Sequence, residues 1–181
     1  MPHFNSLTWP RRRLGMTAAA ILMSVASLAC PSLASAEEPF NRGNTTASLH
    51  AGFGQALDQT YTTFGGGIGT MVSDGLLVAV NAEIWVRSDI EIFKIIPEMR
   101  YVFPTSSTFK PYVGGFLSRT MYDGPGDRFT FGARGGVTHR FSSNAAFSIG
   151  LVHEHVLDCD KSVYKKCDQL YPEAGIIFSL R

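Results

Sequence analysis

At 181 residues and 19.8 kDa, the chain holds one domain of ordinary size and is too short for two large ones. An apolar content of 45% excludes intrinsic disorder, and a formal charge of +1 excludes a polybasic nucleic-acid binder. Charged residues make up only 17%, against about 25% in an average soluble domain, while aromatics reach 12% and Gly numbers 18.

Residues 1–36 have the order of a secretory signal peptide. Arg11, Arg12 and Arg13 form a positive patch, Leu14 to Cys30 is an uncharged apolar run, and Ala34-Ser35-Ala36 is a small-x-small site before Glu37-Glu38. A retained membrane helix competes, because the run is almost long enough to span. The small-residue end and the acids after it suit cleavage better. Lipid attachment at Cys30 is disfavoured by Ser27, where a lipobox wants Leu, and by Pro31. The Arg run touches the twin-arginine pattern, but nothing else in the chain asks for export of a prefolded protein. Cleavage takes away three Arg and no acid, leaving 13 Lys+Arg (16 less 3) against 15 Asp+Glu, a net −2. Cys30 goes with it. The remaining pair, Cys159 and Cys167, reads as one disulfide in an exported chain, with two free thiols as the alternative.

Residues 37–181 are expected to form a single β-domain, since past residue 42 the hydrophobic pattern recurs with period two and not with helical spacing. Eight segments follow, at about 44–55, 60–73, 75–87, 90–103, 109–121, 128–141, 146–157 and 169–181. In the third, Leu76, Val78, Val80, Ala82, Ile84 and Val86 oppose Leu77, Ala79, Asn81, Glu83, Trp85 and Arg87. In the fourth, Phe93, Ile95, Pro97, Met99, Tyr101 and Phe103 oppose a face with Lys94, Glu98 and Arg100. The same alternation runs through Phe129 to Arg140 and through Glu173 to Arg181. Turn chemistry separates the segments at Ser73-Asp74-Gly75, Arg87-Ser88-Asp89, Pro104 to Ser107, Asp123 to Asp127, Ser142-Ser143-Asn144 and the Cys159–Cys167 loop.

Two architectures accept eight such strands. A soluble sandwich or lipocalin-like barrel turns its apolar face inward. A transmembrane barrel turns it toward lipid and fills its lumen with polar groups. Segments of about 12 residues favour the membrane, where ~9–11 tilted residues span a bilayer, over a sandwich, whose strands are usually ~5–6. The even count and the Gly, Ser, Thr and paired charges of the polar faces point the same way. The expected fold is an all-β, eight-stranded antiparallel up-and-down transmembrane β-barrel.

The final stretch, Glu173-Ala174-Gly175-Ile176-Ile177-Phe178-Ser179-Leu180, resembles the assembly signal of bacterial outer-membrane barrels, with Glu173, Gly175, Phe178 and Leu180 at its marked positions. The usual final aromatic is replaced by Leu180 in the penultimate place. Lys110-Pro111-Tyr112-Val113-Gly114-Gly115 likewise resembles a phrase of the small OmpA/OmpX-type outer-membrane barrels. The resemblance implies a Gram-negative outer membrane, with its lipid, its lipopolysaccharide and the barrel assembly machinery as partners. With both termini periplasmic, the loops near 56–59, 87–89, 122–127 and 158–168 are extracellular. All four are short for a surface adhesin or receptor.

The expected lumen network is Glu83, Glu98, Glu154 and Glu173 with Lys94, Arg100, Arg134, Arg140 and Arg119. An eight-stranded barrel is just wide enough to be filled by side chains, and unpaired charge there is costly. A salt-bridge plug is the expected reading, and a gated ion path the competing one. Girdle residues are expected among Tyr101, Phe103, Trp85, Tyr112, Tyr164 and Tyr171, with strand phase favouring the lumen for Trp85. His153 and His155 face lipid near the extracellular rim, roughly 6–7 Å apart on one strand, poor spacing for one metal by themselves. A His at that height resembles the lipid A 3-O-deacylase barrels. That family carries a Ser two residues after its His, where this chain has His155 and Leu157. Contact with lipid A phosphate or water is expected at His153 and His155, and contact with lipopolysaccharide, or solvation alone, at Lys161, Lys165 and Lys166. No enzymatic activity, cofactor or metal is expected; a lipid A-modifying enzyme and a soluble exported barrel are the alternatives.

Overall fold

The computed structural model describes residues 39–56, 59–87, 91–122, 127–157, 159 and 167–180. Eight strands form: β1 (Thr45–Ala56), β2 (Gln59–Ser73), β3 (Leu76–Val86), β4 (Glu91–Val102), β5 (Phe109–Tyr122), β6 (Arg128–Arg140), β7 (Ala145–Val156) and β8 (Asp168–Leu180). Every neighbour in sequence is an antiparallel neighbour in space, and β8 closes on β1 from Thr45↔Leu180 to Gly52↔Glu173. No strand edge is left, as a chain in lipid requires of its backbone. The expected export segment 1–36 and loop residues 57–58, 88–90, 123–126 and 160–166, with Lys161, Tyr164, Lys165 and Lys166, lie outside the described residues.

Period-two alternation becomes inside and outside. On β3 the inward set is Leu77, Ala79, Asn81, Glu83 and Trp85; between them Val78 and Val80 stand exposed. The outer surface is built from such residues, among them Ile68 (68% exposed), Met99, Val113, Leu117, Phe131 and Ile149. The lumen instead buries charge: Glu83, Lys94, Glu98, Arg100, Arg134 and Glu154 are nearly inaccessible. A water-soluble barrel has the opposite polarity. An apolar outer band around a polar interior is that of a transmembrane barrel.

Strict alternation also corrects two expectations. Arg119 does not enter the lumen. It shares the outward phase of β5 with Val113 and Leu117 and, at the strand's end beyond the apolar band, pairs with Asp127. Tyr112 and Tyr171 are not girdle residues; both are buried inside. Tyr101 and Phe103 do face out, edge to face at 5.0 Å between centroids, and Trp85 is fully buried in the lumen.

Two apolar clusters sit inside the barrel. Tyr61, Trp85, Ile92, Ile96, Phe116, Val152 and Tyr171 form one; Phe40, Met71, Leu77, Ala79, Val102, Tyr112, Ala146 and Ile177 form the other, toward the end that carries Thr45 and Leu180. Phe40 lies ahead of β1. It is held there because Gly75 N–H donates to its carbonyl at 2.9 Å, Gly43 N–H to Met71 at 2.8 Å and Arg42 N–H to Asp74 Oδ1 at 2.9 Å. Gly75 has φ +79°, a conformation that disfavours a side chain, and it sits beside a register shift between Met71 and Ser73. The β4–β5 ladder is interrupted at Ile96 and Pro97, because Pro97 has no N–H to give. An outer furrow of about 480 Å³ opens beside this point, lined by Val78, Val80, Pro97, Met99, Gly115 and Leu117.

Candidate functional site

The lumen charges are brought together by register. Glu83 of β3 lies opposite Lys94 of β4, and Glu98 lies opposite Ala79, one inward step from Arg100. Across the lumen, Lys94 Nζ reaches Glu154 Oε2 at 2.7 Å and Oε1 at 3.0 Å, sixty residues away in sequence. The same carboxylate accepts from Gln169 Nε2 at 2.7 Å and from the Tyr171 hydroxyl at 3.0 Å. Lys94 also stands 3.9 Å over the Trp85 ring, a cation–π contact strengthened by exclusion of water. Both partners are almost inaccessible, so each carboxylate lone pair that finds a donor offsets desolvation that the ion pair alone would leave uncompensated.

A second network lies nearer the Thr45 end. Arg134 of β6 donates from Nη1 to both oxygens of Glu173 at 3.1 Å each, and its Nε lies 3.3 Å from Glu98 Oε2. Arg100 Nη2 completes the group at 3.0 Å from Glu98 Oε1. Phe116 and Tyr112 lie under the two guanidinium groups, each 4.9 Å away. Arg140, the last residue of β6, is half-buried.

His50 is not among the candidates read from the sequence. It is inward on β1, and its Nε2 lies 3.0 Å from Glu83 Oε1, whose other oxygen accepts the Trp85 indole N–H at 3.0 Å. Inward parity with Thr46 and Ser48 is the signal that finds it. The room comes from Gly65: a Cβ there would stand 2.2 Å from His50 Nε2. Gly54 serves Trp85 in the same way, since a Cβ would stand 2.4 Å from its ring. His50, Glu83 and Glu173 bring ligand atoms within 4.8 Å of one another, yet all three are committed already, Glu83 to His50 and Trp85 and Glu173 to Arg134.

At the opposite rim, His153 and His155 lie on the outward face of β7. The cross-strand neighbours of His153 are Ala133 and Leu170; those of His155 are Phe131 and Asp168. His155 Nδ1 is 2.7 Å from Asp168 Oδ1, and His153 Nε2 is 3.7 Å from the same oxygen. Asp168 was not among the candidates read from the sequence. Directly above it Cys167 is joined to Cys159, with Cα atoms 5.7 Å apart, and Val156 N–H donates to the Cys167 carbonyl at 2.9 Å. Mass spectrometry of unreduced protein is accordingly expected to find neither Cys159 nor Cys167 open to alkylation, and both open after reduction. On β8, Glu173 is inward, bound to Arg134; Gly175 is inward, and Phe178 and Leu180 lie on the outward phase.

No protein-family model matches the sequence, and no curated protein matches it either. Among solved structures, the chain is similar to Neisserial surface protein A, with TM-score 0.57 and 18% identity over 76% of this chain and 96% of that one. It is also similar to the N-terminal β-barrel domain of Pseudomonas aeruginosa OprF, with TM-score 0.55 and 16% identity over 77% of this chain and 100% of that one. A de novo designed transmembrane β-barrel gives TM-score 0.52 and 16% identity over 77% and 98%. At these identities the likeness is one of fold, that of a small transmembrane β-barrel.

Proposed function

We propose that the protein resides in the outer membrane as a closed barrel with a structural or interaction role at the cell surface, and that it neither conducts ions nor acts as an enzyme. The observation that carries this reading is the filled lumen. Lys94–Glu154 and Arg134–Glu98–Glu173 bridge the interior, packed against its apolar clusters, and Phe40 packs at one end. Conduction needs a continuous wet path, and side chains bonded across an eight-stranded lumen oppose one. Deacylation of lipid A needs an activated nucleophile beside its base; the cross-strand neighbours of His153 and His155 are Ala133, Leu170, Phe131 and Asp168, none of them a hydroxyl or thiol. In this reading the Thr45–Leu180 end faces the periplasm, and the assembly machinery engages the last strand there. The His153–His155 rim meets lipopolysaccharide.

Outer-membrane fractions run with and without boiling are expected to show a heat-modifiable band at this chain's mass. Its presence only in soluble periplasm would favour the soluble barrel. In planar bilayers the purified protein is expected to give no steady unitary currents. Incubation with lipopolysaccharide is expected to leave the lipid A mass unchanged. Loss of one acyl chain, abolished by His153→Ala or His155→Ala, would promote the lipid A-modifying enzyme over this reading.

A further inference from the structure

We infer that His153, His155 and Asp168 form a site for one divalent transition-metal ion on the outer face of the barrel rim, with zinc the ion that suits it best. Two imidazoles on alternate residues of one strand stand roughly 6–7 Å apart, too far for one ion unless something draws them in. Asp168 supplies that third group. It lies directly opposite His155 and diagonal to His153, and a single oxygen of its carboxylate is 2.7 Å from one ring nitrogen and 3.7 Å from the other.

These two separations suit a metal, while the two imidazole nitrogens stand farther from each other and must turn inward to share one ion. Zinc bonds of ~2.0–2.1 Å in a tetrahedron put neighbouring donor atoms about 3.3 Å apart, between the two observed distances. The donor set, two imidazole nitrogens and one carboxylate oxygen, is a borderline one that zinc accepts, with a fourth position left to solvent. All three side chains are substantially exposed, 54%, 38% and 58% for His153, His155 and Asp168. The rings can therefore turn toward a shared ion at the cost of rotamer freedom and of the His155–Asp168 hydrogen bond. Their backbone needs no rearrangement: the Val156–Cys167 hydrogen bond and the Cys159–Cys167 disulfide hold the β7–β8 register one residue above the site. The charge is also right. The Asp168 carboxylate beside the two imidazoles gives the rim an anionic group that attracts a cation. The lumen group His50, Glu83 and Glu173 is a poorer host, because Arg134 and Trp85 already occupy its carboxylates and a closed barrel surrounds it.

The test uses tag-free full-length protein folded in detergent, freed of metal with a chelator, and titrated with zinc chloride by calorimetry. The expected result is one zinc per barrel. Affinity should fall at least ~10–100-fold, the loss typical of disturbing a metal's ligand shell, in His153→Ala and in the near-isosteric Asp168→Asn. His139→Ala, an outward imidazole at the other end that stacks on Phe109 at 4.5 Å, should bind zinc as the parent does. Unchanged heat-modifiable mobility certifies that each variant is folded. Absence of zinc binding, equal binding by His153→Ala and Asp168→Asn, or a loss seen only in His50→Gln would each overturn the proposal. Because the titration is done in detergent, its failure leaves the outer-membrane reading intact, just as a failed fractionation would leave the zinc result standing.

Discussion

Substitution of Arg134 by Met is expected to cost the folded barrel about 3–5 kcal/mol, the usual loss when one member of a buried ion pair is removed. Arg134 holds both oxygens of Glu173 and shares Glu98 with Arg100. Met has the length to fill much of the stem's volume, so packing changes little and the uncompensated carboxylate dominates. The measurement is a urea titration of the heat-modifiable band in detergent or lipid. A triple variant, Arg134→Met with Glu98→Gln and Glu173→Gln, removes the stranded charges and is expected to recover a large part of the loss. If the single variant were as stable as the parent, the network would not be the element that holds the lumen closed.

Phe178→Asp is expected to remove the protein from the outer membrane. Phe178 lies on the outward phase of β8, opposite Ala47 of β1 and Ala145 of β7, where the last strand closes the barrel. A basic residue on a lipid face costs on the order of 2–4 kcal/mol at mid-membrane, and an acid less, especially toward an interface. That penalty alone would weaken the barrel without abolishing it. The larger effect comes through the terminal segment, whose resemblance to an assembly signal makes Phe178 and Leu180 the residues read during insertion. Leu180→Asp should behave alike. Immunoblots of membrane fractions give the result directly, and normal outer-membrane levels of both variants would count against the membrane reading as a whole.

Much of the barrel was legible because a strand's side chains alternate without exception and a membrane barrel needs that alternation on every strand. Strand limits agree with those expected to within one or two residues, and the phases of Glu83, Lys94, Glu98, Arg100, Arg134, Glu154 and Glu173 follow from sequence parity alone. Arg119 shows where chemistry misled: a charge was expected inside, yet its phase is that of Leu117, and its place at the strand end lets it reach water and Asp127. Tyr112 and Tyr171 failed similarly, aromatic type being weighed above parity.

Sequence by itself determined what is local: strand lengths, the face each side chain takes, the turns at Asp74-Gly75 and Ser142 to Asn144, and a pair of cysteines eight residues apart. These depend on backbone geometry within a few residues. Partnership was decided only by the closed barrel. Lys94 and Glu154 lie on strands that are not neighbours, and Arg134 and Glu173 likewise, so their meeting depends on the barrel's stagger and on the width of a lumen that eight strands enclose. His50 reaches Glu83 because Gly65 leaves a gap between them, and Asp168 stands by His153 and His155 because the β7–β8 register sets it there. Register is a sum over whole ladders and over the hairpin that joins them, and no single residue announces it.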